Sequence, residues 1–300
     1  MKYTQYKIAV ITNVSGQSMQ DLKATAHNHG IIFDQITFRN IPLAGFAESE
    51  LVQKICSYDV VYYRTGMRGP IIDELSHILR RKRIPFINGV AQHSYMHQKI
   101  RQALIAGRYN IPQPRSYYIG GFNYARVSEV LGDTFVVKPD DGSKGDDVTL
   151  VSSEAELLAF KETKKKDTYL YQELIEEAEE YRVYTLGSKG VASYKKTAGS
   201  EDFRANLHTG GTITPTEPEL VEMLLTFGGK VAKSFGADIS GVDILVKDNK
   251  PLFLELNWQP GWEKLDEAAG SNYCEETMQY ILQKTHTHHS FLGKLTRLFS

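Results

Sequence analysis

The sequence of 300 residues has little of several features that mark particular protein classes. Its two cysteines, Cys56 and Cys274, stand far apart with no CxxC, which predicts free thiols in a reducing cytosol and no disulfide. The formal net charge is −1, so no nucleic-acid footprint is indicated. The N-terminus enters a strand without the apolar run of a signal peptide, and no later run is long enough to span a membrane. We therefore predict a cytoplasmic protein without nucleic-acid or membrane partners.

Familiar nucleotide-binding motifs are also missing. No GxGxxG follows the first strand, which argues against a dinucleotide-binding fingerprint. No GxxxxGK[ST] occurs, and neither do the HRD and DFG motifs of protein kinases. If this chain binds ATP, it uses another scheme.

The segment 241–265, GVDILVKDNKPLFLELNWQPGWEKL, contains the most informative pattern that is present. It reads as two strands joined by a tight turn, in which Glu255 and Asn257 share a face because residues two apart on a strand point the same way. Asp243 on the first strand completes a set of three oxygen-bearing side chains. Such oxygens suit magnesium, which takes further ligands from substrate phosphates. The alternative is a solvated strand face with unrelated acids.

The turn between these strands decides whether Asp243 joins the site. A two-residue turn at Asp248-Asn249 would pair Asp243 with Leu254 and place it on the wrong face. A three-residue loop from Asp248 to Lys250, or a five-residue loop of the same register, pairs Asp243 with Glu255. We predict this second register.

The remaining pattern predicts an α/β fold. Strands alternate with helices near the N-terminus, which implies a parallel sheet with right-handed crossovers. The predicted strands are 7–12, 31–38, 59–66 and 84–89, and the predicted helices are 19–29 and 71–82. The second part is predicted to contain a helix at 94–107, a strand–loop–strand at 133–151, a helix at 154–166, a strand from 168, a hairpin at 181–196 and helices at 218–235 and 274–284.

Lys138 ends a strand directly before the Gly-rich loop Gly142–Gly145. A lysine at this position can reach a phosphate while the main-chain amides of the loop cover others. The alternative is a strand-end lysine that extends to solvent.

Several segments of the chain, taken in order, resemble the RimK-like branch of the ATP-grasp amino-acid ligases. The resemblance covers about residues 96–270 and is most specific in FRANLHTGG and in the Asp243 and Glu255-x-Asn257 set. The other matching segments are HQKIRQALIAGRYNIPQP, FVVKPDDGSKGDDV, YLYQELIEE, EEYRVYTLG and LELNWQPG.

The resemblance implies a Rossmann-like pre-ATP-grasp domain (1–95), a small ATP-grasp lid subdomain (96–172), an ATP-grasp core with the Mg/ATP site (173–285) and a C-terminal tail (286–300). It implies that Arg204 and Lys138 are catalytic and that Asp243, Glu255 and Asn257 bind metal. The residues that the resemblance assigns to ATP are Lys99, Lys138, Lys144, Gln172, Glu173, Leu174, Ile175, Glu180, Arg204 and Asn206. Among them, Gln172 to Ile175 would form the hinge that meets adenine.

The implied activity is ATP-dependent ligation of a carboxylate to an amine through an acyl phosphate, giving an amide or peptide bond, ADP and phosphate. The implied cofactors are ATP and two Mg²⁺ ions, with Mn²⁺ as a substitute, and the substrates are small molecules or peptides. Family members commonly form homo-oligomers. The alternatives are a non-catalytic ATP-binding module and an ATP-grasp phosphotransferase.

The sequence departs from the family pattern near the second substrate. Trp258 follows the metal asparagine where the branch has a small residue, and Trp262 follows the Pro-Gly turn. We expect both tryptophans to contribute to substrate selection. Lys195 and Lys196, together with Arg204, are a candidate carboxylate pocket, and the alternative is an ordinary basic hairpin face.

Overall fold

The structure is a computed structural model that describes residues 6–13, 16–38, 43–64, 69–89, 94–141, 148–163, 168–197, 212–262, 265–266 and 272–298. The chain forms two compact units. Unit 1 comprises Met1–Ser94, Gly236–Ile239 and Trp258–Ser300, and unit 2 comprises Tyr95–Phe235 and Ser240–Asn257.

Unit 1 is built on a four-stranded parallel sheet in the order β2-β1-β3-β4. Its N-terminal elements are β1 (Lys7–Ile11), α1 (Gln17–Asn28), β2 (Ile32–Ile36), α2 (Glu50–Ile55), β3 (Val60–Tyr63), α3 (Pro70–Arg81) and β4 (Phe86–Ile87). The central strands β1 and β3 are almost entirely buried and apolar, as expected where crossover helices cover a parallel sheet. The predicted strand–helix alternation is confirmed.

Local signals explain where the first helices begin and end. The chain leaves α1 through Gly30, whose φ of +67° is the left-handed conformation that favours glycine after a helix. The helix α2 was not predicted, because its six residues are too few to show a period. Its N-cap is Ser49, whose hydroxyl accepts a hydrogen bond from the Val52 amide.

Unit 2 contains two sheets. Its elements are α4 (Lys99–Arg108), β5 (Ser116–Tyr117), α5 (Tyr124–Leu131), β6 (Phe135–Pro139), β7 (Thr149–Val151), α6 (Glu154–Thr163), β8 (Tyr169–Glu173), β9 (Glu179–Leu186), β10 (Lys189–Thr197), β11 (Thr212–Pro215), α7 (Pro218–Phe235), β12 (Ile239–Lys247) and β13 (Lys250–Asn257). One sheet has the order β5-β8-β6-β7 and the other β11-β10-β9-β12-β13. The second sheet places β9 beside β12, which brings the hairpin predicted at 181–196 next to the strand of Asp243.

The helix α7 packs closely on the β9–β10 hairpin because two of its residues are glycine. A Cβ atom at Gly229 would lie 2.5 Å from the Ser188 carbonyl oxygen, and one at Gly228 would lie 2.6 Å from a Val183 methyl carbon. Both distances are shorter than carbon atoms tolerate, so only glycine permits this approach. The helix therefore holds one face of the sheet that carries the site.

The hairpin of β12 and β13 confirms the predicted pairing of Asp243 with Glu255 but not the predicted turn. Lys247 pairs with Lys250, so the turn consists of the two residues Asp248 and Asn249. Both have positive φ, 51° and 57°, as in the type I′ turn that matches strand twist. The three-residue loop was wrong because a β-bulge between Asp243 and Ile244 was not foreseen. The bulge adds one residue on β13 and restores the register.

Glycine should suit this turn better than asparagine. Because Asn249 has φ of 57°, Asn249→Gly is expected to raise the free energy of unfolding by about 0.5 kcal/mol, and Asn249→Ala to lower it by about 1 kcal/mol. Urea denaturation of the two variants measures both effects. A lower stability for Asn249→Gly than for Asn249→Ala would contradict the turn type.

The last helix, α8 (Tyr273–Leu298), belongs to unit 1. It continues without a break past residue 286, where the C-terminal tail was predicted to begin. Within the described ranges, no helix has both the length and the apolar character needed to cross a membrane.

Candidate nucleotide and metal site

The site in unit 2 begins with three side chains on β12 and β13. Asp243 lies opposite Glu255 in the ladder, and Asn257 lies opposite Gly241. The amide nitrogen of Asn257 donates to Asp243 Oδ2 at 3.1 Å and lies 3.3 Å from Glu255 Oε1. One amide thus joins two carboxylates that would otherwise repel each other. The three residues predicted from the sequence are therefore brought together.

Arg182 is a site residue that the sequence analysis missed. Its Nε donates to Asp243 Oδ1 and its Nη2 to Asp243 Oδ2, both at 2.6 Å. This bidentate geometry is the strongest form of the arginine–carboxylate ion pair. Asp243 is only 2% exposed. Arg182 lies on β9, so only the strand order could have placed it beside β12.

Glu180 and Lys196 extend the cluster across β9 and β10, where they are paired in register. The Lys196 ammonium donates to Glu180 and lies 3.5 Å from Asp243 Oδ2. Lys196 is 9% exposed, so these acids supply its counter-charge in a nearly dry setting. Glu180, which the resemblance assigns to ribose, is thus held by a lysine.

The charges in this cluster shift its pKa values in different directions. Burial acts to raise the pKa of Asp243, but Arg182 and Lys196 outweigh it and hold that pKa at about 2. Burial raises the pKa of Glu180 even though Lys196 opposes the effect. Burial acts to lower the pKa of Lys196, and the carboxylates of Asp243 and Glu180 more than offset it. Asp243 is therefore the firmly ionised acid of the site.

Lys138 is the next-to-last residue of β6 and provides a further positive charge. Its ammonium donates to the side-chain oxygen of Gln172 at 2.6 Å. Burial lowers the pKa of Lys138 to about 8, Glu255 opposes the shift, and nearby Lys99 adds to it. Two lysines and a carboxylate close enough to influence one another are what a nucleotide phosphate chain with magnesium requires.

Two buried polar residues fix α4, which carries Lys99, to the site. The Lys99 amide donates to the Asp140 carbonyl at 3.1 Å, and the Ile100 amide donates to the Asp140 carboxylate at 2.9 Å. Gln102 accepts from the Leu256 amide at 2.8 Å and donates to its carbonyl at 3.0 Å. Because Leu256 lies between Glu255 and Asn257, Gln102 locks the strand at the candidate ligands. The sequence analysis did not identify Gln102 or Asp140.

The predicted hinge begins within β8, at Gln172 and Glu173, and continues past its end to Leu174 and Ile175. Gln172 is 4% exposed, and its amide nitrogen donates to the Ser116 hydroxyl at 3.1 Å. Glu173 pairs with Arg115 at 3.0 Å, and this hydrogen bond lowers the pKa of Glu173. Leu174 and Ile175 follow the strand and are partly buried. Gln172 and Lys138 are in contact, so the predicted hinge lies directly beside the lysine that is predicted to bind phosphate.

Three predicted ATP residues, Lys144, Arg204 and Asn206, lie outside the described residues. Their assignments remain predictions.

The structure does not bring Lys195 and Lys196 into one pocket. As neighbours on a strand they face opposite sides of the sheet, and Lys196 lies in the cluster around Asp243. Lys195 instead pairs with Glu179 and, at 2.8 Å, with Glu217. Its charge is therefore already balanced by two acids.

Trp258 and Trp262 belong to unit 1 and are buried, at 3% and 0% exposed. The Trp258 carbonyl accepts from the Asn88 side chain at 3.1 Å. Arg64 stacks over the Trp262 ring, with its guanidinium carbon 4.5 Å from the ring centre. Both indole rings are therefore buried side chains of unit 1 and not exposed surface residues.

The donor set fits magnesium. Asp243 has about four acceptor positions, and Arg182 (through two bonds), Asn257 and Lys196 contact all of them, so a metal ion bound to this carboxylate would take the place of one of these contacts. Glu255 adds a second carboxylate, and the oxygen of Asn257 adds a neutral ligand. These are hard oxygen donors, which Mg²⁺ prefers. No group of three or more His, Cys, Asp or Glu with metal-binding geometry occurs among the described residues, so Asn257 is needed to complete the set.

Comparison with solved structures identifies the class of this fold. D-alanine–D-alanine ligase from Bacillus anthracis complexed with ATP matches 95% of this chain and 99% of its own, with a TM-score of 0.70 and 19% identity. The RimK domain protein ATP-grasp from Sphaerobacter thermophilus DSM 20745 matches 92% of this chain and 99% of its own, with a TM-score of 0.68 and 14% identity. The fold is therefore that of the ATP-grasp ligases, as predicted.

Comparison of the sequence with protein-family models identifies the family of this chain. A model of the RimK-like ATP-grasp domain matches residues 98–281, and the chain belongs to this family. ATP and magnesium ions are the family's cofactors. A probable alpha-L-glutamate ligase from Cellvibrio japonicus (strain Ueda107) is 31% identical over 191 residues, which are 61% of this chain and 62% of that protein. The match thus spans about three fifths of that relative's length.

Proposed function

We propose that this chain is an ATP-dependent carboxylate–amine ligase. In the first step a carboxylate oxygen bonds to the γ-phosphorus of ATP while the β–γ bridging P–O bond breaks, which gives an acyl phosphate and ADP. An amine nitrogen then bonds to the acyl carbon as the C–O bond to phosphate breaks. The amine proton goes to solvent, and the products are an amide, ADP and phosphate.

The observation that carries this proposal is the charged constellation in unit 2. Lys138, at the end of β6, lies near Glu255, and Glu255 is paired in register with Asp243. Phosphoryl transfer depends on positioning and charge neutralisation more than on covalent chemistry by the protein. A desolvated lysine beside two paired carboxylates and an amide supplies these elements. Family membership favours the same reaction.

The described residues of the site have the following roles in this proposal. Lys138 and Lys99 hold phosphate oxygens, and Gln172 orients the Lys138 ammonium. Asp243, Glu255 and Asn257 would hold two magnesium ions, for which manganese can substitute. The metal, when bound, neutralises phosphate charge. Arg182 keeps Asp243 ionised and oriented, and Gln102 fixes the strand between Glu255 and Asn257.

The proposed substrates are an amino-acid or peptide carboxylate and an amine. The names of the sequence relatives, probable alpha-L-glutamate ligases, support an amino-acid substrate. Cys56 and Cys274 are free thiols, which supports the proposed cytoplasmic location.

Product analysis tests the proposal. The full chain is incubated with ATP, MgCl₂ and pools of amino acids and short peptides, and ADP and product masses are measured. We expect ADP release to require an amine and a product of the summed substrate mass minus one water. ADP release that ignores the amine would favour a hydrolase, and a phosphorylated product would favour a phosphotransferase. ATP binding without turnover on any pool would support a binding module.

The variant Glu255→Gln tests whether turnover depends on the predicted metal site. Loss of one negative ligand should lower turnover at least about a hundredfold while the protein remains folded. Glu222→Gln, on the exposed face of α7, is the matched control and should turn over as the wild type does. Wild-type activity in Glu255→Gln would refute the metal assignment.

A further inference from the structure

The parallel sheet of unit 1 has a topological switch point between β1 and β3. In the order β2-β1-β3-β4, the chain moves from β1 to β2 on one side and then to β3 on the other. Ligands of open parallel sheets bind beyond the carboxyl ends of the strands at this point. β3 ends at Tyr63, and Arg64 follows directly, with its amide bonded to the Ile11 carbonyl at the end of β1. Arg64 therefore lies at the switch point.

Arg64 is a buried cation that no carboxylate of the described residues neutralises. It is 8% exposed, and its Nη1 donates to the Pro260 carbonyl at 3.1 Å and to the Tyr62 hydroxyl at 3.4 Å. Within the described part of the chain, no Asp or Glu pairs with it. A guanidinium has five N–H donors, and the two described side-chain hydrogen bonds of Arg64 both come from Nη1. A buried charge is costly unless a counter-charge lies close to it, and a bound anion can supply one.

Trp262 places a further hydrogen-bond donor beside Arg64. The guanidinium carbon of Arg64 lies 4.5 Å from the centre of the Trp262 ring. Trp262 is fully buried, and its Nε1 has no hydrogen-bond partner among the described residues. Buried polar groups are nearly always hydrogen-bonded, so an indole N–H without a described partner, beside a guanidinium without a described carboxylate, calls for an explanation. Both groups only donate, so the missing partner is an acceptor.

We propose that Arg64 and Trp262 form a subsite for the carboxylate group of an amino-acid or peptide substrate; this inference rests on the ligase function proposed above and specifies its substrate. The planar guanidinium fork matches the two oxygens of a carboxylate. One positive charge balances one carboxylate, whereas a phosphate dianion would need further cations. The subsite also gives Trp262, which the sequence marked as a departure from the family, a specific role.

The carboxylate bound at this subsite is a recognition group and not the group that reacts. Oxygens that accept hydrogen bonds from a guanidinium are neutralised and are poor nucleophiles toward phosphorus. The substrate held here must therefore carry a second functional group, either the amine or the carboxylate that is activated. An α-amino acid, or the C-terminal residue of a peptide, meets this requirement.

The indole N–H signals of the protein report directly on this subsite. The chain has two tryptophans, so the ¹H–¹⁵N spectrum contains two indole signals, and the signal lost in Trp262→Phe is that of Trp262. The uniformly ¹⁵N-labelled full chain is titrated with sodium acetate, and with acetamide, sodium chloride and sodium phosphate at matched ionic strength. We expect acetate to shift the Trp262 signal saturably, and the other three probes to have little effect.

Variants of Arg64 test whether its guanidinium binds the carboxylate. Arg64→Lys keeps the charge but loses the fork, so the acetate dissociation constant should rise at least about tenfold. Arg80→Lys is the matched control, because Arg80 also stacks on an aromatic ring, that of Phe86, but is exposed. It should titrate as the wild type does. Dispersed amide spectra verify that each variant is folded, and Trp262→Phe, followed through the acetate methyl signal, gives a second measurement with an expected roughly tenfold loss.

The outcomes separate this subsite from the ligase function. An acetate shift that is absent, equal to that of chloride, weaker than that of phosphate or unchanged in Arg64→Lys would overturn the subsite. If the wild type makes product, the free acid should be a substrate and its carboxamide should not, and Arg64→Lys should raise the KM for the acid at least about tenfold. Saturable acetate binding without any product would support the subsite and count against the ligase.

Discussion

Asp243→Asn is expected to lower the free energy of unfolding by about 3–5 kcal/mol and to reduce turnover more than about a thousandfold. Asp243 is 2% exposed and balances the Arg182 guanidinium, which contacts both of its oxygens at 2.6 Å, and the Lys196 ammonium at 3.5 Å. Asparagine retains one acceptor and brings an N–H₂ group toward the arginine. The partly buried Arg182 would then have lost its counter-charge and Lys196 would retain only Glu180, which costs more than the ion pair contributes when it is intact.

The pH dependence of stability provides a specific signature of this carboxylate. The pKa of Asp243 in the folded protein is about 2, below its usual 3.8. The folded state therefore holds fewer protons than the unfolded state between these values, so the stabilisation by Asp243 is present above about pH 4 and is lost as the pH falls toward 2. The stability difference between wild type and Asp243→Asn should shrink over the same interval. Urea denaturation at a series of pH values measures it.

Two further variants separate the structural effect from the catalytic one. Glu179→Gln removes an acid from the exposed pair with Lys195 and should cost no more than about 1 kcal/mol. The double variant Arg182→Gln with Asp243→Asn should recover much of the lost stability, because it removes both charges of the pair, while turnover stays low. If Asp243→Asn unfolds like the wild type, the ion pair does not hold β9 to β12.

The sequence predicted those parts of the site that depend on a single strand or on neighbouring strands. Glu255 and Asn257 share a face because of strand periodicity alone, and Asp243 pairs with Glu255 as expected. The turn prediction failed because register was inferred from loop length without a bulge. A bulge depends on local packing and has no sequence signal as clear as the Asp248-Asn249 turn itself.

Arg182 and Gln102 show why the rest of the site was missed. Arg182 reaches Asp243 only because β9 lies beside β12, an order that the spacing along the chain does not reveal. Gln102 is a polar residue in an amphipathic helix and is indistinguishable by pattern from a surface position, yet it is 4% exposed and bonded on both sides to Leu256. Both residues act between elements that are distant in sequence. Sequence periodicity describes one element at a time and therefore cannot identify them.

Lys138→Met is expected to make the protein more stable and at the same time to weaken ATP binding at least about a hundredfold. Burial lowers the pKa of Lys138 from its usual 10.5 to about 8, a difference that corresponds to a cost of about 3 kcal/mol for the charged side chain at pH 7. Methionine fills a similar volume without charge. It leaves the Gln172 oxygen without its donor, which costs about 1–2 kcal/mol, so the net gain in the free energy of unfolding should be about 1–2 kcal/mol.

The same gain should depend on pH in a direction opposite to that of the Asp243 effect. Because the pKa of Lys138 is depressed in the folded state, the cost of its charge is full below about pH 8 and disappears as the pH approaches 10.5. The advantage of Lys138→Met should disappear over this interval.

ATP supplies the anionic partner that the lysine lacks, so nucleotide should stabilise the wild type far more than the variant. Thermal unfolding with and without ATP and MgCl₂, together with calorimetric titration of ATP, measures these effects. Lys189→Met, at an exposed position on β10, should change stability by less than about 0.5 kcal/mol and leave ATP binding intact. A Lys138→Met protein that is less stable than the wild type and binds ATP equally well would show that Lys138 serves the core and not the phosphates.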